Sequence, residues 1–211
     1  DRGRARELLE QKIIAGEIIL EDYHRKEPPL KLAPPTGVAE EFTEITPFTK
    51  RSTLSSNGEF TAIYADCGIY LGIYQGKNTV IPTRDFLRRQ HGGFFALLDG
   101  DKALHFGNAI GKGFAGEQSV VFGNGFAEYY SNGLDLRAGM RASVHAELPC
   151  EIRRFAVLNN ANRRRTITLS AFIEPLLASA EEFEAHPAFA NLFLKIRFDS
   201  DRKIFIISRK E

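Results

Sequence analysis

The chain has 211 residues, a formal net charge of +1, and 43% hydrophobic against 26% charged side chains. That balance excludes a general electrostatic pull on nucleic acid or anionic lipid, and the length supports one large core without covalent or metal staples. Cys67 and Cys150 make neither a disulfide framework nor a ligand set, and His24, His91, His105, His145 and His186 include no pair at metal spacing, so no cofactor and no metal are expected.

In chain order, residues 2–14 predict a helix. Ala5, Leu8, Leu9 and Ile13 recur at helical spacing among Arg and Glu, and Gly16 ends it. Residues 27–37 carry four prolines and read as an extended linker. From Phe42 the apolar period is mostly two. Strands are predicted over 42–46, 60–65, 69–74, 79–82, 94–98, 103–106, 118–122, 126–130, 134–146, 151–158, 165–174, 192–198 and 203–208. Between them lie Asn57-Gly58, Gly92-Gly93, Asp99-Gly100, Asn124-Gly125, Asn132-Gly133 and Asn159-Asn160. Asn-Gly between alternating segments signals a hairpin, because both central residues of a type I′ turn need positive φ. Short turns between so many strands predict an all-β fold, a large antiparallel sandwich with an N-terminal helix. The expected division is helix and Pro-rich linker over 1–38 and sandwich over 39–211. The 17 Phe predict a thick aromatic core. No segment reaches the ~18–20 apolar residues needed to cross a bilayer. The opening Asp1-Arg2-Gly3 carries no secretory signal and reads as the start of an excised domain.

Gly111-Lys112-Gly113-Phe114-Ala115-Gly116 matches the dinucleotide fingerprint in letters. That fingerprint works only between a parallel strand and a helix N-terminus. A strand-like segment follows here, so the run reads as a glycine-rich connection. Arg163-Arg164-Arg165 reads as a solvated turn, with no interleaved aromatic residues to suggest nucleic acid. Tyr70, Tyr74, Tyr129 and Tyr130 are candidate exposed rings for stacking on the C–H face of a pyranose. A mutarotase-like reaction needs a His acid and a Glu base converging on a sugar, which His91, His105 and Glu128 would have to supply. Glu181-Glu182 and Asp99/Asp101 sit in polar turns, and no nucleophile elbow, zinc-protease pair or P-loop occurs.

The run from Asn159 to Glu174, ending Thr168-Leu169-Ser170-Ala171-Phe172-Ile173-Glu174, and the block Ala185-His186-Pro187-Ala188-Phe189 through Leu192-Phe193 carry a resemblance. So does Asn57-Gly58-Glu59-Phe60-Thr61-Ala62-Ile63 followed by Asp66-Cys67-Gly68. These resemble the β-sandwich (supersandwich) domain that precedes the catalytic barrel in inverting glycoside phosphorylases and cyclic β-1,2-glucan synthases. The resemblance implies a non-catalytic scaffold, interface and cleft rim beside a separate helical barrel of the same parent, which holds the catalytic acid and phosphate site. It implies a parent that acts as a glycosyltransferase or glycoside phosphorylase on β-glucan or gluco-oligosaccharide. It further implies a homodimer, no direct membrane insertion of this segment, and a place at the cytoplasmic face of a bacterial inner-membrane protein. The sugar-facing edge it implies runs from Tyr70 and Tyr74 to Arg84 and Asp85. Members carry two or three glycines and a Trp near this loop, where this chain has Cys67-Gly68-Ile69-Tyr70 and no Trp. Phe189 and Phe193, four apart after Pro187, are expected to pack inward, with His186 structural at that junction. Two other readings stand beside this one: a self-sufficient carbohydrate-binding module, and the mutarotase-like enzyme.

Overall fold

The computed structural model describes residues 39–45, 51–81, 93–107 and 116–210. The expected helix over 2–14, the linker over 27–37, and Arg84, Asp85 and His91 lie outside them. The described residues belong to two compact units, one within Pro34–Ala185 and one beginning at His186.

Every strand pairing in the first unit is antiparallel. One five-stranded sheet contains β1 (Glu40–Phe42), β8 (Glu117–Gly123), β9 (Phe126–Gly133), β10 (Leu136–Val144) and β11 (Glu151–Asn159), in that spatial order. A second sheet runs β13 (Pro175–Ala178), β5 (Lys77–Val80), β4 (Tyr70–Tyr74), β3 (Phe60–Ala65), β2 (Ser52–Ser56). A third runs β12 (Thr168–Ile173), β6 (Gly93–Asp99), β7 (Lys102–His105). A short helix, α1 (Ala180–Ala185), follows β13. The fold is all-β, as the alternation predicts.

Period two sorts the first sheet into two faces. The row Phe42–Val120–Tyr129–Met140–Phe155 crosses all five strands and enters the core. One residue along, Glu41–Val121–Glu128–Arg141–Arg154 crosses the same strands on the other face. The core also takes Tyr64 from β3, Leu104 from β7 and Leu136 from β10, each fully buried. Polar ties join the sheets as well. The Tyr129 hydroxyl donates to the Ala65 carbonyl at 2.7 Å. Asn57 accepts from the amides of Glu59 and Phe60 and donates to the carbonyls of His145 and Leu148. Tyr129→Phe should cost about 1 kcal/mol in a denaturant titration, because Ala65 O keeps the Gly68 amide as a partner. A loss several times larger would show that the ring itself had moved.

Five expectations change. β2 escapes an apolar-alternation reading because its inward residue is Ser55, buried and accepting from the Val144 amide, while Leu54 is 54% exposed. The hairpin expected at Asn132-Gly133 turns two residues later, at Leu134 and Asp135, both with positive φ. Gly133 then pairs with Leu136, which keeps Leu136, Ala138 and Met140 on the core face. This turn truncates the long 134–146 segment to β10. The Arg165 guanidinium fixes the turn by donating to the Leu134 carbonyl and pairing with Asp99. Its side chain is only 6% exposed, so Arg165 is no part of a solvated turn. Finally, the strand expected over 165–174 begins only at Thr168, and a further strand follows it where none is predicted. β12 ends at Ile173, and β13 begins at Pro175 in a different sheet.

The second unit contains a 3-10 helix, Pro187–Phe193, and the hairpin β14 (Leu194–Asp199)–β15 (Ile204–Arg209). Phe189 and Phe193 are 54% and 45% exposed, so neither is the core residue expected. The expectation assumed α-helical geometry, where residues four apart share a face. With three residues per turn they do not. Instead Phe189 meets the His186 ring edge-on and Phe193 lies beneath the Arg209 guanidinium.

Candidate functional site

β3 and β4 form a hairpin that presents Tyr64 and Tyr70 as a cross-strand pair. Tyr70, expected as an exposed ring, is 8% exposed. The Arg153 guanidinium lies 4.1 Å from its centroid and 4.4 Å from that of Phe95 on β6. Arg153 comes from β11, so one side chain joins all three sheets. It ion-pairs with Glu151 through Nε and contacts the Met140 sulfur at 3.7 Å. Burial pushes the Glu151 carboxyl up against the pull of Arg153, and burial pushes the Tyr70 phenol up to about 12. Tyr70 therefore serves this junction and has no open face for a sugar.

Tyr74, at the far end of β4, is half-buried. Its hydroxyl reaches Glu59 Oε1 at 3.4 Å and accepts from Gln75 Nε2 at 3.0 Å. Of the expected sugar edge, Tyr74 is the described residue with part of its ring toward solvent. The turn between β3 and β4 is set by packing: Gly68 and Gly107 meet backbone to backbone, with φ of +88° and +84°. A glycine in this loop is thus explained by close backbone approach and positive φ, without a ligand.

On the first sheet Tyr129 is fully buried, while its neighbour Tyr130 faces the opposite way and is half-exposed. The Tyr130 hydroxyl donates to Glu128 Oε2 at 2.7 Å. Glu128 is buried and paired with Arg141 at 3.3 Å, and Arg141 lies 4.1 Å over the Phe126 ring. Burial and the bond to Glu128 both raise the Tyr130 phenol above its ordinary range.

The mutarotase-like set does not converge in the described residues. Ser131 and Gln118, on the core side of the sheet, bond the His105 carbonyl, whereas Glu128 lies on the outer face. Burial also lowers the His105 imidazole below its ordinary value. Gly116, the last glycine of the fingerprint-like run, leads straight into β8 and packs on the backbone of Asn132 and Gly133. Among the described residues no group of His, Cys, Asp or Glu is placed to hold a metal, and no helix is long and apolar enough to cross a membrane.

The reading of the sequence missed Arg153 and Glu128 as organising residues. Parity carries the signal for the first: Arg153 sits two residues from Phe155 in a strand and shares its inward face. Nothing comparable marks Glu128, since its partners come from β9 and β10 on the polar face.

The described residues define a large antiparallel sandwich domain whose buried charges tie strands together. The chain belongs to the family of the glycosyl hydrolase 94 supersandwich domain, whose family model matches residues 41–211. A curated relative, the Cyclic beta-(1,2)-glucan synthase NdvB of Rhizobium meliloti (strain 1021), is 26% identical over 166 residues, 77% of this chain. The chain spans 6% of that relative's length.

Proposed function

We propose that this chain is the non-catalytic sandwich of a β-glucan-active glycoside phosphorylase or cyclic β-1,2-glucan synthase. It acts as scaffold, interface and cleft rim beside a separate catalytic barrel of the same parent, at the cytoplasmic face of a bacterial inner membrane. The observation that carries the reading is family membership over 41–211. The likeness to a long cyclic beta-(1,2)-glucan synthase supports the glucan substrate. The disposition of the two arginine-paired carboxylates of the first sheet supports a non-catalytic role. Glu128 and Glu151 lie on opposite faces of one sheet, each tied to an arginine, so they cannot work as an acid–base pair on one sugar. We place the cleft rim at the Tyr74 end of β4, with Tyr74 the side chain that meets sugar once the barrel closes the other half.

Incubated with β-1,2- and β-1,4-linked glucans, with and without phosphate, the purified chain should release neither glucose nor glucose 1-phosphate above a buffer blank. Release of either would overturn the scaffold assignment.

A further inference from the structure

The outer face of the first sheet carries a set of side chains that the scaffold role leaves unused. Across it runs the row Ser119–Tyr130–Gly139–Ala156. Beyond the Tyr130 ring the floor carries little bulk: Gly139 has no side chain and is itself buried among its neighbours, and the half-buried Ala156 adds a single methyl. Arg141 and Arg154 stand on one flank, and exposed Arg137 with Leu158 on the other, each about 7 Å along the strands. The trough thus has an aromatic wall at one end and guanidinium walls at its sides.

Two features of this trough run against plain stability. Arg141 and Arg154 are direct cross-strand neighbours, a like-charge pairing that weakens a sheet. Among the described residues, Arg141 but not Arg154 is paired with a carboxylate, and that carboxylate is buried, which is itself costly. What the arrangement achieves is fixed geometry. Phe126 supports Arg141, Arg141 and Tyr130 hold Glu128, and Glu128 fixes the Tyr130 ring through its hydroxyl. A preorganised flat ring beside hydrogen-bond donors suits the C–H face and hydroxyl edge of a pyranose. Glu128 neutralises Arg141, which leaves the flanking Arg154 and Arg137 as donors to sugar hydroxyls.

We propose that this trough is an accessory site for a β-linked gluco-oligosaccharide, stacked on Tyr130 and hydrogen-bonded by Arg154 and Arg137. The proposal rests on the glucan reading above, but differs from the cleft rim in being complete on this chain alone. Few contacts and an open surface set its dissociation constant on the order of 1 mM.

Titrating the isotope-labelled chain with short β-1,2-linked gluco-oligosaccharides tests it. Saturable amide shifts are expected at Tyr130, Gly139, Ala156 and their strand neighbours. Tyr130→Ala should weaken binding about tenfold, the scale of one lost aromatic stack. Tyr130→Phe keeps the ring and should retain most of the affinity. If Tyr130→Ala disturbs the fold, Ala156→Gln fills the floor from a half-exposed position and should block binding while leaving the core spectrum unchanged. Shifts confined to the Tyr70–Tyr74 strand would overturn this site and leave the glucan reading standing. Shifts with inorganic phosphate but no glucan would overturn the sugar assignment. No shift with any glucan would overturn the site, while the scaffold role would still be judged by the activity assay.

Discussion

Arg153→Ala should lower folding stability by about 3–5 kcal/mol, the usual cost of removing one partner from a buried pair. The side chains of Arg153 and Glu151 are 10% and 13% exposed, so little solvent reaches either to compensate. Truncation also uncovers the rings of Tyr64, Tyr70 and Phe95, which the guanidinium covers from a third sheet. Replacing both charges, as Arg153→Met with Glu151→Leu, should recover most of the loss, because an apolar pair of similar size avoids desolvation. Denaturant melts of the three proteins decide it. A single variant as stable as the parent chain would show that the three sheets meet without Arg153.

The second large effect is expected at Gly107. A Cβ there would lie 2.5 Å from the Cα and the nitrogen of Gly68 and 2.6 Å from the carbonyl carbon of Cys67. All three are backbone atoms, so no rotamer relieves the overlap. The positive φ adds strain of its own. Gly107→Ala should therefore cost about 3–5 kcal/mol, combining overpacking with left-handed strain. Gly76→Ala is the control: it has a positive φ but open space around its Cα, and should cost only about 1–2 kcal/mol. Equal losses at the two sites would mean that conformation alone, and not the Gly68–Gly107 contact, fixes the loop.

Much of the architecture was legible because burial follows period two. β3, β9 and β11 fall where apolar alternation or Phe placement puts them, and the short turns force antiparallel neighbours. The exceptions have physical causes. β2 turns a serine inward and a leucine outward, which inverts the usual pattern. Leu134 and Asp135 adopt a left-handed turn that glycine-based turn signals do not reveal, held from a distance by Arg165. The Pro187–Phe193 segment winds as a 3-10 helix, so a four-residue spacing no longer marks one face.

The candidate site was less legible than the fold. Ring chemistry singled out Tyr70, Tyr74, Tyr129 and Tyr130 but could not separate them, since outward and inward faces differ by one register step. Tyr129 and Tyr130 are adjacent in sequence and lie on opposite faces of the sheet. Tyr70 is covered by an arginine more than eighty residues away in sequence. The Glu128–Arg141 pair depends on a register set by the whole β9–β10 hairpin.

We propose that this domain supports glucan chemistry performed by a separate catalytic barrel of a longer parent polypeptide. Glucose 1-phosphate release from β-1,2-glucan and phosphate tests it most directly. The assay compares the 211-residue chain with the full polypeptide that carries it. Product is expected from the full polypeptide and none from the chain by itself. Product from the chain alone, or from neither preparation, would contradict it.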